Sequence, residues 1–326
     1  MSNARLAPDF RFEASWEVCN KVGGIHTVIS TKAQTVTRKF GDRYILIGPD
    51  LSHEGTNPEF EEDQTLLKAW RQAVYSEGLR IRIGRWKIKG EPLAVLVDFT
   101  SLIPRKDEIL TKLWESYHVD SLSGQWDYIE PVLFGYAAGT VIASYVKTFC
   151  SPTEKIVAHF HEWMSAAGGL YLRKYAPYVA TVFTTHATVM GRCIAGNRLP
   201  LYSDLAKFNA DELARQFNVT AKHSIEKTAA ANHDAFLTVS DITANECKFL
   251  LGREPDGITP NGFENDFVWT GEEYYAKRDE ARKALIAVAE ACLGCRFASE
   301  PLIVGTSGRY EFRNKGIDVF IESLKK

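Results

Sequence analysis

Almost no net charge is left in this 326-residue sequence, because 39 lysines and arginines face 41 aspartates and glutamates. The formal charge of −2 gives no bulk attraction for nucleic acid or for a membrane surface. Any anionic ligand must therefore be held by local basic groups. Cysteine is also sparse, with six residues at 19, 150, 193, 247, 292 and 295. Only Cys292 and Cys295 lie close together, and "CLGC" has no second pair to complete a zinc site. The string follows a helical run and not the strand of a βαβ unit, which argues against a redox motif. The thiols thus read as reduced. No charged-then-apolar leader opens the chain, and no apolar stretch of about 18 residues is expected. The reading that follows is a cytoplasmic protein. Internal repeats and low-complexity tracts are missing as well, and the acidic run "EFEEDQ" (59–64) reads as a solvated loop.

What is present is a globular composition, 45% hydrophobic and 25% charged. Short apolar strands are expected at 11–19, 43–49, 92–99, 155–161, 178–186, 235–240 and 301–308. Several are continuous apolar runs, as in a parallel sheet covered on both faces. Helices fall between them. Ile25, Val28, Ile29, Ala33, Val36 and Phe40 share one helical face. An apolar helix is expected over 131–149 with Pro131 at its start, and Ser240 is a good N-cap for a helix ending near Gly252. Alternating strands and helices imply a doubly wound α/β architecture. The expected organisation is a Rossmann-like N-terminal domain over 1–265 and a charged helical connector over 266–300. A single βα unit, 301–326, would then begin a second domain.

Ligands of open parallel sheets sit beyond the carboxyl ends of the strands, at the switch point, so the residues just after each strand carry the information. Four loops stand out. Lys21-Val22-Gly23-Gly24 precedes a helix whose free amides and dipole would suit an anion, though the same string serves as a plain turn. It is neither GxGxxG nor a P-loop, which leaves dinucleotide readings without support. In "HFHEWM" (159–164), His159 and His161 project from one face of a strand end. They read either as metal ligands lacking a clear third partner or as buried, hydrogen-bonded histidines. Glu162 is expected to cap or orient. In "TTHATVMGR" (184–192), His186 leaves a strand end and Arg192 follows on the next helix, as a phosphate fork or as a surface arginine. In "GRYEFRNKG" (308–316), Arg309 and Lys315 flank a loop and would suit a diphosphate, while Arg313 reads as solvent-facing.

These strings, together with "WEVCNKVGGIHTVISTKA", "VLFGY", "TVSDITANE" and "ITPNG", closely resemble the glycogen synthases of animal and fungal type, glycosyltransferase family 3. The resemblance spans nearly the whole chain. It implies a GT-B fold, two Rossmann-like domains facing across a cleft, of which the C-terminal one is only begun here. It implies a hexosyltransferase that moves glucose from UDP-glucose to the non-reducing 4-hydroxyl of an α-1,4-glucan with retention, using neither metal nor cofactor. Homo-oligomerisation stays open for the full-length enzyme. Residue by residue, it implies that Lys21 contacts the phosphate side of the nucleotide, with Gly23 and Gly24 forming the close turn. His186 would lie beside the donor glucose and Arg192 near the phosphates, while Arg309 and Lys315 would stabilise the departing UDP. Two further expectations concern what the string does not contain. The chain ends at Lys326, so this polypeptide is expected to be inactive alone. The short N-terminus and "WTGEEYYAKRDEARKAL" lack animal-type phosphorylation and glucose-6-phosphate elements, which suggests a bacterial source without that activation.

Overall fold

The computed structural model describes residues 7–52, 57–262, 265, 268–308 and 310–325. The chain divides into two units, Met1–Asn261 and Gly262–Lys326.

The first unit is built on one nine-stranded sheet. Its strands are β1 (Phe10–Ala14), β2 (Tyr44–Pro49), β3 (Phe60–Glu62), β4 (Arg80–Trp86), β5 (Leu93–Asp98), β6 (Ile156–His161), β7 (Ala180–Thr185), β8 (Ala235–Thr238) and β9 (Gly257–Ile258). Their order is β3-β4-β5-β2-β1-β6-β7-β8-β9. All neighbours run parallel except β3–β4 and β4–β5, which put two antiparallel strands at one edge. From β1 the chain first moves outward through β2 and later returns to place β6 on the other side of β1. The switch point therefore lies between β1 and β6. The acidic run expected to be a solvated loop contributes β3, because Phe60 is buried against the sheet.

The helices are α1 (Gly24–Phe40), α2 (Lys68–Ser76), α3 (Lys106–Tyr117), α4 (Trp126–Phe149), α5 (Glu162–Tyr175), α6 (Val189–Gly196), α7 (Ala210–Gln216), α8 (Thr220–Asn232), α9 (Asp241–Glu246), α10 (Gly271–Leu293) and α11 (Ile317–Ser323). Alternation along the strands separates two layers. Phe12, Ala14, Ile45, Ile47, Val95 and Val97 face the large core that includes α4 and α5. Tyr44, Leu46, Ala94 and Leu96 face the smaller core beneath α1. Helix α4 starts at Trp126, five residues earlier than expected, and Pro131 lies in its second turn. By length and composition α4 would be long and apolar enough to cross a membrane, contrary to expectation, but it is buried within this domain. It packs tightly on α5 through glycines. A Cβ on Gly168 would lie 2.5 Å from the Gly135 carbonyl oxygen, and one on Gly139 would lie 2.5 Å from that of Gly168. Ser240 caps α9, whose last turn widens into a π-turn over Cys247–Leu251 before the left-handed Gly252.

In the second unit, α10 forms as expected and buries none of its residues. Residues 301–307 do not form the expected strand. A parallel strand is held by ladder hydrogen bonds to a neighbour, and this unit offers none among its described residues. Helix α11 does form, with Gly316 in the left-handed region before it.

Candidate functional site

The sequence puts a glutamate, Glu13, between two inward apolar residues of β1. The pleat turns it to the opposite face, beneath α1, where register places it beside His159 of β6. It is fully buried. A buried carboxylate needs several partners, and Glu13 has them. His161 Nε2 lies 2.6 Å from Oε1, the Tyr44 hydroxyl donates to Oε2 at 2.7 Å, and the Lys32 ammonium of α1 also sits on Oε1. Arg11 is 3.7 Å from Oε2. Burial pushes the Glu13 carboxyl up, but Lys32, His161 and Arg11 outweigh it and hold it well below the usual range. On its far side, His161 Nδ1 meets His186 Nε2 at 2.9 Å. His159 Nε2 and Thr184 Oγ1 are hydrogen-bonded at 2.7 Å. Burial lowers all three histidines, with Glu13 opposing it, and takes His186 to about 3. They are neutral near pH 7.

Glu13 also supplies the third ligand that the HxH reading lacked. Ligand atoms of Glu13, His159 and His161 lie within 4.8 Å of one another. The Lys32 ammonium sits on Oε1, the Glu13 oxygen that both histidines face. The cluster is a hydrogen-bonded network centred on an ion pair.

At the Lys21–Gly24 turn, the amides expected to be free are partly engaged. Glu17 Oε2 accepts from the backbone N–H of Gly23 and of His26, each at 2.8 Å, so an internal carboxylate caps α1. The two glycines then have different reasons. A Cβ on Gly23 would stand 3.0 Å from Glu17 Oε1, whereas one on Gly24 meets nothing within 4 Å. Gly24 thus leaves open space at the helix start, and Lys21 is exposed beside it.

Three buried glutamates hold the segment after β7. Glu162 opens α5 with φ of 63°, a left-handed conformation that is rare for a glutamate. Its Oε1 accepts from the backbone N–H of His186 at 3.0 Å and of Ala187 at 3.3 Å. It orients the loop, as its sequence position suggests. Glu226 of α8 accepts from the Thr185 hydroxyl at 2.7 Å and the Val189 N–H at 2.9 Å. Glu246 accepts from the Thr188 hydroxyl at 2.6 Å, and Thr188 in turn caps α6 through the Gly191 N–H. Burial and the nearby Glu162 charge push Glu226 up to about 8. Burial raises Glu162 too, against the opposing pull of Arg192. Arg192 itself, in the first turn of α6, is exposed. Its charge bears on Glu162, Glu226 and His186 alike.

These features converge on one sheet edge. The chain matches the glycogen synthase family over residues 13–326. It belongs to that family. Among its relatives are the glycogen [starch] synthase of Neurospora crassa, 36% identical over 97% of this chain, and the human liver glycogen [starch] synthase, 34% identical over 97%. The Dictyostelium discoideum glycogen [starch] synthase is 33% identical over 96%. The chain spans 45%, 45% and 36% of those three proteins, less than half of each. Among solved structures, the catalytic domain of starch synthase IV from Arabidopsis thaliana, bound to ADP and acarbose, matches with a TM-score of 0.45 and 16% identity. That match covers 90% of this chain and 61% of the other.

Of the residues singled out in the sequence, Lys21, Gly23, Gly24, His186 and Arg192 follow the carboxyl ends of β1 and β7 in the first unit. Lys315 belongs to the second unit, where it is exposed and its backbone N–H donates to the Glu311 carbonyl at 2.9 Å. Arg313 is exposed and pairs with Asp318 at 3.4 Å. Arg309 lies outside the described residues. Sequence reasoning missed Glu13, Glu17, Lys32, Glu226 and Glu246, the groups that hold the others in place. One signal was available for Glu13, a carboxylate flanked by the apolar Phe12 and Ala14.

Proposed function

We propose that this chain is the acceptor-side portion of a GT-B glycogen synthase, with the start of its nucleotide-binding domain over 301–326. The complete enzyme transfers glucose from UDP-glucose to the non-reducing 4-hydroxyl of an α-1,4-glucan with retention. The observation that carries this reading is the switch-point edge of a chain in this family. There the open turn at Gly24 follows β1, and the carboxylate-clamped segment bearing His186 and Arg192 follows β7. In the complete enzyme Lys21 and Arg192 take the phosphates and His186 takes the donor sugar. Arg309 and Lys315 meet the charge that grows on UDP as the bond from C1 to oxygen breaks. Fixed cations act most strongly where charge develops. The reading needs neither metal nor cofactor, and it places the protein in the cytoplasm.

These 326 residues span less than half of the relatives, so we take them to bind the donor weakly and to transfer nothing by themselves. The test is calorimetric titration with UDP-glucose, ADP-glucose and UDP, beside a glucose-transfer assay. Saturable binding of UDP-glucose that weakens in Arg192→Ala supports the reading. Malto-oligosaccharide binding with no response to millimolar UDP or UDP-glucose overturns it and leaves a glucan-binding scaffold. Glucose transfer by this chain alone overturns the division of labour between the two domains.

A further inference from the structure

We infer that Glu13 is a positioning residue that acts through His161 on His186, fixing His186 as the tautomer with its proton on Nε2 and a bare Nδ1. The geometry carries the argument link by link. Glu13 Oε1 is 2.6 Å from His161 Nε2, and a carboxylate oxygen can only accept there, so His161 Nε2 bears the proton. The opposite assignment would press two lone pairs together at that distance. His161 Nδ1 is then the bare nitrogen of a neutral ring. It lies 2.9 Å from His186 Nε2, so His186 must donate. The ring order is thereby set from the interior outward.

The other possibility is a doubly protonated His161, which would reverse the second bond. The groups around it oppose that state. Lys32 shares Oε1 with His161, Tyr44 donates to Oε2 and Arg11 stands 3.7 Å from it, so the Glu13 charge is already largely answered. His159, its ring centre 4.1 Å from that of His161 and tilted by 35° to it, is neutral and tied to Thr184. An imidazolium would add a second cation beside Lys32 in a buried place. His186 is only partly buried, and its Nδ1 has no hydrogen-bond partner among the described residues. That nitrogen is an acceptor held ready for a hydroxyl donor. The identity of the hydroxyl as one on the donor sugar rests on the function proposed above, whereas the tautomer does not.

The experiment is long-range ¹H–¹⁵N correlation of the ring nitrogens in ligand-free chain carrying ¹⁵N-histidine, near pH 7. The expected result is His186 protonated at Nε2, and His161 neutral and protonated at Nε2. In Glu13→Gln, whose amide can donate as well as accept, His186 is expected to move to a mixture of tautomers while the amide spectrum stays native. Thr184→Val, which breaks only the His159 bond, leaves His186 as in the parent. The inference is overturned if His186 carries its proton on Nδ1 in the parent chain, or if His161 is an imidazolium. A folded Glu13→Gln with unchanged His186 also overturns it. The parent spectrum decides even if that variant fails to fold. No nucleotide sugar is used, so failure here is separate from failure of the donor-site reading.

Discussion

Glu17 caps the helix that begins at Gly24 by accepting the Gly23 amide at 2.8 Å, and its other oxygen stands where a Gly23 side chain would have to go. The turn is therefore rigid before any ligand arrives, and its two glycines are separable by experiment. Gly24→Ala adds a methyl to open space in a helical first turn, so the melting temperature is expected to hold or rise, by up to ~1 kcal/mol of stability. On the proposed function the same methyl obstructs the phosphates and weakens UDP-glucose binding. Glu17→Ala has the reverse profile, uncapping two amides at a cost of about 1–2 kcal/mol. Thermal melts and titration on both variants check the pair; a Gly24→Ala that binds normally removes this turn from the donor site.

Glu226 makes stability fall as pH rises. Its folded value of about 8 stands above the ordinary 4.5, so between those values the unfolded chain sheds a proton that the folded chain keeps. The sign is a loss on going up, complete above about pH 8. The buried histidines act oppositely: with His186 at about 3 against an ordinary 6.5, their contribution is lost as pH falls through that range. Subtracting variants isolates the carboxyl. Glu226→Gln keeps the shape of the protonated form, so its melting temperature should gain on the parent as pH climbs from about 5 to about 8. A constant difference across that range would contradict the shift.

The parallel half of the sheet was legible because strands covered on both faces are continuous apolar runs, and β2, β5, β6 and β7 each lie within the segments expected for them. The antiparallel edge was not. In β4, "RIRIGRW", three arginines on both faces interrupt the apolar pattern, and Arg82 and Arg85 are answered by Glu62 and Asp42 from other parts of the chain. Residues 301–307 failed for the opposite reason, having strand composition without a neighbour to pair with among the described residues of their unit. At the site, His186 and Arg192 showed themselves by their place after a strand. Glu13 did not, because what makes a charge tolerable in the interior is Lys32 and His161, neither of which is local to it. Glu226 sits in an ordinary helical pattern and becomes notable only through the Thr185 and Val189 groups it accepts from.

Helices α4 and α5 approach so closely at Gly135, Gly139 and Gly168 that one methyl has no room. Gly168→Ala would put a carbon 2.5 Å from the Gly135 carbonyl oxygen, and backbone cannot swing aside as a side chain can. The expected loss is about 3 kcal/mol, read by denaturant unfolding. Because α5 begins at Glu162, movement of this helix should also shift the His186 and Ala187 amide signals. A loss below ~1 kcal/mol would mean that the helices separate easily.

Arg192 is exposed, so its removal takes nothing from the core. Arg192→Ala is expected to keep the fold and to weaken UDP-glucose by roughly tenfold or more, the scale of a lost charge-assisted hydrogen bond. Arg192→Lys should recover only part of that, since an ammonium lacks the planar fork. Equal affinity for the alanine variant and the parent would place the phosphates elsewhere.

Glu13 and His161 are separated by 148 positions in the chain, and everything between them must be traversed before β6 can dock beside β1. Closing so long a loop is entropically costly and late, since many shorter contacts can form first. During synthesis, the hydrogen bond from His186 to His161 cannot exist until β7 has emerged and joined the sheet. That bond is accordingly a timestamp: its ¹⁵N signature should appear in refolding together with the last recovered native amide signals, and a piece of the chain that stops before β7 cannot display it.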